Sequence, residues 1–318
     1  MKKLAISFIT YNRAKHIRED LAVIVQPTKE KDIDIYIYDG STNMQTEHVV
    51  KEYVQKGYAH IHYFHTDEKV SASDSLCQRL TYAFQAPDAE YVWLCGDKFV
   101  IRPEHYAEIL SYIGKSYDVI TIYGYPLKGT RRFDNLSRFA YYAIVPITHL
   151  GSTIIKKKLI ESFNISEARE ENAPFGVQLS YLRAIANIER FRGVVIDKGT
   201  QTSIISRYKT PSGSASCMWF SWVQNWYHFI ELLPSAYEDI REGLYNRPDL
   251  QLGFFSIKEL LRQRSEGQFD LKKFMECRQY AKKVIVMHNI FVFCIAILPQ
   301  RIAKWLYGSG LIKIFLNR

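Results

Sequence analysis

Three short polar segments each follow an apolar, strand-like run. Residues 4–9 lead into Thr10-Tyr11-Asn12-Arg13, residues 33–38 into Asp39-Gly40-Ser41-Thr42, and residues 91–95 into Gly96-Asp97-Lys98. In the first, Tyr11 and Asn12 can frame a planar base, with backbone N–H groups and Arg13 set beside phosphate. In the second, Asp39 can accept hydrogen bonds from a nucleobase N–H or a ribose hydroxyl, although Asp-Gly is also an ordinary turn. In the third, Asp97 alone reads as a turn or cap residue. Beside a diphosphate, however, a carboxylate is tolerated only with a divalent cation between the two. A hard, oxygen-ligated ion such as manganese or magnesium fits that need.

The elements that carry these segments read as strand, helix, strand, helix, strand, helix, strand. Strands are expected at residues 4–9, 33–38, 60–65 and 91–95, and helices at 13–25, 46–56 and roughly 73–86. This alternation predicts a doubly wound α/β sheet, whose right-handed crossovers bring the strand ends to one edge. The loops after Ile9, Tyr38 and Cys95 should therefore converge. Further strands are expected at 118–123, at Gly151-Ser152-Thr153-Ile154-Ile155 and at 194–196, with a helix over roughly 175–187. Residues 131–146 are aromatic and basic. The small-residue stretch at 210–216 separates a region ending near 207 from a helical, aromatic remainder. No GxGxxG follows the first strand and no GxxxxGK[ST] occurs, which excludes a P-loop and argues against a dinucleotide Rossmann site.

Taken in order, Ile6-Ser7-Phe8-Ile9-Thr10-Tyr11-Asn12-Arg13, Ile37-Tyr38-Asp39-Gly40-Ser41-Thr42, Tyr91-Val92-Trp93-Leu94-Cys95-Gly96-Asp97 and Gly151-Ser152-Thr153-Ile154-Ile155 resemble glycosyltransferase family 2, inverting enzymes of the GT-A fold. The resemblance spans roughly residues 1–200. It implies a mixed sheet flanked by helices at 1–207 and a mostly helical extension at 208–318. It also implies a UDP-sugar donor held by Thr10, Tyr11, Asn12, Arg13, Asp39, Ser41, Gly96 and Asp97, and a manganese or magnesium ion at Asp97. The family often shows two or three acids together; here Lys98 falls where another acid is common, and the thiol of Cys95 is a poor ligand for a hard cation. The reaction implied is a single displacement at the anomeric carbon, in which a carboxylate takes the acceptor proton. The family's base lies in an acidic motif before a helix, matched here by Glu170-Glu171-Asn172, so Glu171 and then Glu170 are the candidates. Acids also enrich first helical turns for dipole reasons. The implied role is synthesis of a cell-surface polysaccharide or glycoprotein. The alternatives are a sugar-nucleotide pyrophosphorylase, whose Gly-rich basic loop is missing after the first strand, and a non-catalytic binding or scaffold subunit of the same fold.

The 318 residues carry a formal charge of +9, from 42 basic and 33 acidic side chains. Without zinc-finger spacing, an RRM signature or a long basic block, this excess does not read as nucleic-acid binding. The five scattered cysteines exclude a zinc CxxC site and argue against a disulfide framework, which points to reducing cytosol. No signal peptide is apparent. Residues 284–298 form an apolar run too short to span a bilayer. After Pro299, the apolar residues Ile302, Trp305, Leu306, Ile312, Phe315 and Leu316 interleave with Arg301, Lys304, Lys313 and Arg318. That pattern suits a helix lying in a membrane interface at the inner face of the cell membrane, near a glycan, glycolipid or glycoprotein acceptor. It also suits a homo-oligomer contact. The 210–216 stretch is expected to act as a flap over the donor, and Trp219 and Trp222 to stack on acceptor sugars.

Overall fold

The computed structural model describes residues 2–66, 72–97, 99–100, 102–123, 129–160, 164–171, 175–197, 205–206, 218–252 and 255–309. The chain forms two compact units, Met1–Lys209 and Thr210–Arg318.

The first unit opens with β1 (Lys2–Thr10), α1 (Ala14–Glu30), β2 (Asp34–Asp39), α2 (Gln45–Gln55), β3 (Ile61–His65), α3 (Ala72–Gln85) and β4 (Ala89–Gly96). It continues through β5 (Phe99–Val100), α4 (Tyr106–Gly114), β6 (Val119–Tyr123), β7 (Arg131–Phe133) and α5 (Leu136–Ile147). Then follow β8 (Thr153–Lys156), α6 (Lys157–Ile160), α7 (Ile165–Glu171), α8 (Gly176–Ala186), β9 (Gly193–Asp197) and β10 (Ile205–Ser206). The main sheet runs β3-β2-β1-β4-β8-β6-β9-β7. β1 to β4 pair in parallel, as do β6 and β9, whereas β8 lies antiparallel between β4 and β6, and β7 is antiparallel to β9. This is a mixed, GT-A-like sheet flanked by helices, as the sequence predicts.

All six residues of β2 are buried despite their alternating pattern, because helices cover both faces of a parallel sheet. Leu4, Ile6, Phe8, Ile35, Ile37 and Trp93 pack with Ile17, Leu21 and Ile24 of α1 and Tyr106 and Ile109 of α4. Each such aliphatic side chain contributes about 1.5–3 kcal/mol by leaving water. Trp93 is fully buried and its indole N–H is satisfied by the Gly151 carbonyl at 2.6 Å.

Two local expectations change. The first helix does not end near 25 but runs to Glu30 with Pro27 inside it. Its last turn is closed by Lys31 N–H to the Pro27 carbonyl, 3.2 Å, and by the Thr28 hydroxyl donating to the Ile24 carbonyl, 2.8 Å. The basic, aromatic stretch 131–146 becomes β7 and α5, the latter N-capped by Asn135 Oδ1, which accepts from Arg138 N–H at 2.8 Å.

The strand order makes one place special. β2 and β3 build outward from one side of β1, and β4 joins on the other, so the winding direction reverses between β1 and β4. In such sheets ligands bind beyond the carboxyl ends at that switch point. Thr10 is in register with Asp39, and Ile9 with Gly96.

The second unit is helical: α9 (Met218–Glu231), α10 (Arg241–Tyr245), α11 (Pro248–Leu252), α12 (Ile257–Ser265), α13 (Leu271–Val284), α14 (Asn289–Ile297) and α15 (Gln300–Gly308). Trp226, Phe229, Tyr237, Tyr245, Leu260 and Cys277 fill its core. The apolar run 284–298 is not one element. α13 ends at Val284, α14 starts at Asn289, and Pro299 separates α14 from α15 at an angle of 112°. No single described helix is long and apolar enough to cross a membrane. The flap expected at 210–216 and residues 310–318 lie outside the described residues, as does the Trp219 side chain.

Candidate functional site

The end of β1 is stitched to the end of β2 by Asn12. Its φ of +52° is a left-handed conformation that asparagine tolerates better than most residues. There its backbone N–H donates to Ser41 Oγ at 2.7 Å, while its Oδ1 accepts from Thr42 N–H at 3.1 Å and Asn43 Nδ2 at 3.0 Å. Asn12 and Ser41 therefore hold the loops in place around the site.

Asp39 is fully buried. Its Oδ1 accepts from the Ser41 N–H at 2.9 Å and from the Ser41 hydroxyl, and its Oδ2 from the Tyr63 hydroxyl at 2.9 Å. Three donors leave an ionised carboxylate with capacity for about one more, which is what a single ligand N–H or hydroxyl would use. Burial, then the charge of Asp39 and the hydrogen bond to it, push the Tyr63 phenol well above its ordinary value, so it stays a donor.

Asp97 stands at the end of β4, 3% exposed. Thr10 Oγ1 donates to its Oδ2 at 2.7 Å, and Arg13 Nη1 to its Oδ1 at 2.7 Å. Thr10, Tyr11, Arg13, Gly96 and Asp97 line a cavity of about 290 Å³ at the β1/β4 switch point, together with Arg79 of α3. Tyr11 is half exposed at this cavity.

Arg79 was not anticipated from the sequence. It is 6% exposed, and its guanidinium lies so close over Gly40 that a Cβ there would fall 1.4 Å from Nη1. Burial lowers its proton affinity, opposed by Asp39, Tyr11 and Asp97. The available signal was its spacing. Position 79 falls three residues after Leu76 and four before Ala83, on the face of α3 that also buries Leu80 and Phe84. A charged residue on a buried face needs a polar destination, and here that is the cavity.

The candidate bases lie elsewhere. Glu170 is exposed on α7, and both oxygens of Glu171 are taken by Arg183 of α8, at 3.2 and 2.5 Å. Neither glutamate lines the switch-point cavity. Arg183 lines a separate cavity of about 490 Å³, with Lys158, Asn164 and Glu167. That cavity is larger, but its lining comes from helices and their connections, whereas the smaller one lies at the ends of β1 and β4.

Asp97 fits a resident divalent cation poorly. Each of its oxygens already accepts from a protein donor, one of them a cation. Burial pushes the Cys95 thiol well above its ordinary value, which keeps it neutral within the strand. Among the described residues no group of three or more His, Cys, Asp or Glu side chains is arranged to hold a metal. Lys98 lies outside the described residues.

The family model described as glycosyl transferase family 2 matches residues 6–166. No curated protein matches the chain in sequence. Among solved structures, the chain is similar to S. aureus TarS 1-349 in complex with UDP, at 17% identity and a TM-score of 0.54, covering 97% of this chain and 92% of that one. It is also similar to the mannosyltransferase PcManGT from Pyrobaculum calidifontis in complex with GDP-Man and Mn2+, at 12% identity and a TM-score of 0.52, covering 96% and 87%. Against a longer S. aureus TarS structure the identity is 16% and the TM-score 0.50. There 80% of this chain is covered, and it spans about half of that chain, 54%. At these identities the solved structures establish a common fold.

Proposed function

The chain belongs to glycosyl transferase family 2, and on that premise we propose that it moves a sugar from a nucleotide-sugar donor, a UDP-sugar, to an acceptor hydroxyl with inversion. One observation carries this reading: Thr10, Arg13, Arg79 and Asp97 converge on a single cavity at the sheet's switch point, with Asp39 in register beside Thr10. The nucleoside faces Tyr11, Asn12 and Asp39. The diphosphate faces Arg13 and Arg79, whose guanidiniums stabilise the charge that develops on the leaving group.

The acceptor hydroxyl attacks the anomeric carbon from the face opposite the diphosphate and gives its proton to a carboxylate. Glu171, with Glu170 beside it, is the candidate base by resemblance. To act, Glu171 exchanges its Arg183 pairing for the acceptor hydroxyl. The Arg183 pair and the Arg13 pair also favour a second reading, a nucleotide-binding subunit without transfer activity, because both carboxylates that chemistry would use are held by arginines.

The acceptor is a glycan, glycolipid or glycoprotein of the cell surface, and the enzyme works in the cytoplasm at the inner face of the membrane. Support for the membrane contact comes from α14 and α15, which expose Ile290, Phe291, Ile297, Ile302 and Trp305 next to exposed Arg301 and Lys304. The same apolar surface would serve a homo-oligomer, an outcome that sizing by light scattering distinguishes. Calorimetric titration with UDP and GDP tests the donor site, and transfer from radiolabelled UDP-sugars tests turnover. Failure of both nucleotides to bind overturns the reading. Binding without transfer to any acceptor favours the subunit reading.

A further inference from the structure

Asp97 already has a cation. Arg13 Nη1 lies 2.7 Å from Oδ1, and the Thr10 hydroxyl is 2.7 Å from Oδ2. A divalent ion entering here would have to displace the guanidinium, or sit beside it on one carboxylate and bear the repulsion. That repulsion acts at close range in a partly buried setting, where water screens it less, and a divalent ion feels it twice over. Among the described residues, the neighbouring groups offer the ion little compensation. Cys95 is a neutral buried thiol, and hard cations want several oxygens. The positive charge that a diphosphate needs is nonetheless present, because Arg13 and Arg79 both line the cavity with Asp97.

Resting on the nucleotide-sugar reading, we propose that this site binds its donor diphosphate without a resident divalent cation, with the guanidiniums of Arg13 and Arg79 in the ion's place. Asp97 is then a positioning residue. Its buried carboxylate fixes Arg13 at the mouth of the cavity, and Thr10 fixes the carboxylate. Arginine suits this use: it is always charged, its fork matches two phosphate oxygens, and it sheds water more easily than a small hard ion. The diphosphate oxygens take the Arg13 N–H groups that Asp97 leaves free. No bond to the protein forms, so the leaving group departs as the nucleoside diphosphate.

The test is UDP and GDP titration of the full chain in excess EDTA and again in millimolar manganese. The inference expects dissociation constants within about threefold of each other in the two buffers. Arg13→Ala should weaken binding about tenfold or more in EDTA, equivalent to about 1.4 kcal/mol, with Arg13→Lys recovering part of it. Asp97→Asn keeps an acceptor for Thr10 but frees Arg13. It should weaken binding by a similar factor in both buffers, whereas loss of a metal ligand would move only the manganese value. Binding that vanishes in EDTA and returns with manganese overturns this inference and leaves the nucleotide-sugar reading standing. Absence of binding in both buffers overturns the two together. The central comparison uses the unaltered chain, so it stands even where a variant fails to fold.

Discussion

Arg13 and Asp97 are 84 residues apart in the chain, yet their side chains meet at 2.7 Å across the gap between β1 and β4. Asp97 is almost wholly buried, while the Arg13 side chain is 38% exposed. The pair thus has one end in the protein and one in the cavity, which lets it both brace the sheet and face a ligand.

Removing only the arginine strands a buried carboxylate. Arg13→Ala should destabilise the first unit by about 1–3 kcal/mol, less than for a fully buried pair because Arg13 is partly solvated. In urea unfolding, Arg13→Ala/Asp97→Asn should recover part of that loss. A double variant no more stable than the single one would show that the pair carries no coupling.

Gly40 leaves room for the Arg79 guanidinium, so Gly40→Ala should act on the ligand and not on the fold. The obstructing atom is the far end of a flexible side chain, so stability should change by less than about 1 kcal/mol. UDP affinity should fall by about tenfold, since Arg79 must swing away. Calorimetry beside a melting curve separates the two.

Glu171→Gln tests the base. If Glu171 takes the acceptor proton, transfer falls by about 10²-fold or more with UDP affinity unchanged. Retained transfer would assign Glu171 to the Arg183 pair alone.

The thiols differ by burial. Burial pushes Cys277 up to about 12, against an ordinary 9.0, whereas Cys294 is exposed. At pH 8 a thiol reagent should label Cys294 in the native chain and leave Cys277 and Cys95 unlabelled. Between pH 9 and about 12 the unfolded chain releases the Cys277 proton and the folded chain keeps it. Stability from this group is therefore complete below pH 9 and falls as pH rises through that window, which urea midpoints at pH 8 and pH 10.5 would register.

The α14–α15 surface should bring the chain to vesicles containing anionic lipid and less so to neutral ones. Trp305→Glu should cut co-flotation several-fold, and added salt should weaken it through the Arg301 and Lys304 contribution. Equal flotation by the variant would remove this surface from any membrane role.

The local sequence determined the rhythm of the first unit. Apolar runs of strand length alternating with helical spacing, each ending in polar residues, are short-range features, and a doubly wound sheet gathers such ends at one edge. That much placed Thr10, Arg13, Asp39 and Asp97 together. Periodicity could not say which of them would pair, because Arg13 meets Asp97 only once β4 has crossed to the far side of β1. Nor could it find Arg79, whose charge makes sense only against the cavity it enters, or the Glu171–Arg183 pair, which needs α7 laid against α8. The C-terminal apolar run was legible as too short to span a bilayer and as ending at Pro299, but not its division: hydropathy counts residues, while the break after Val284 decides how many lie on one helix. Pairing and direction belong to the packed chain, since they depend on distances between residues that the sequence keeps far apart.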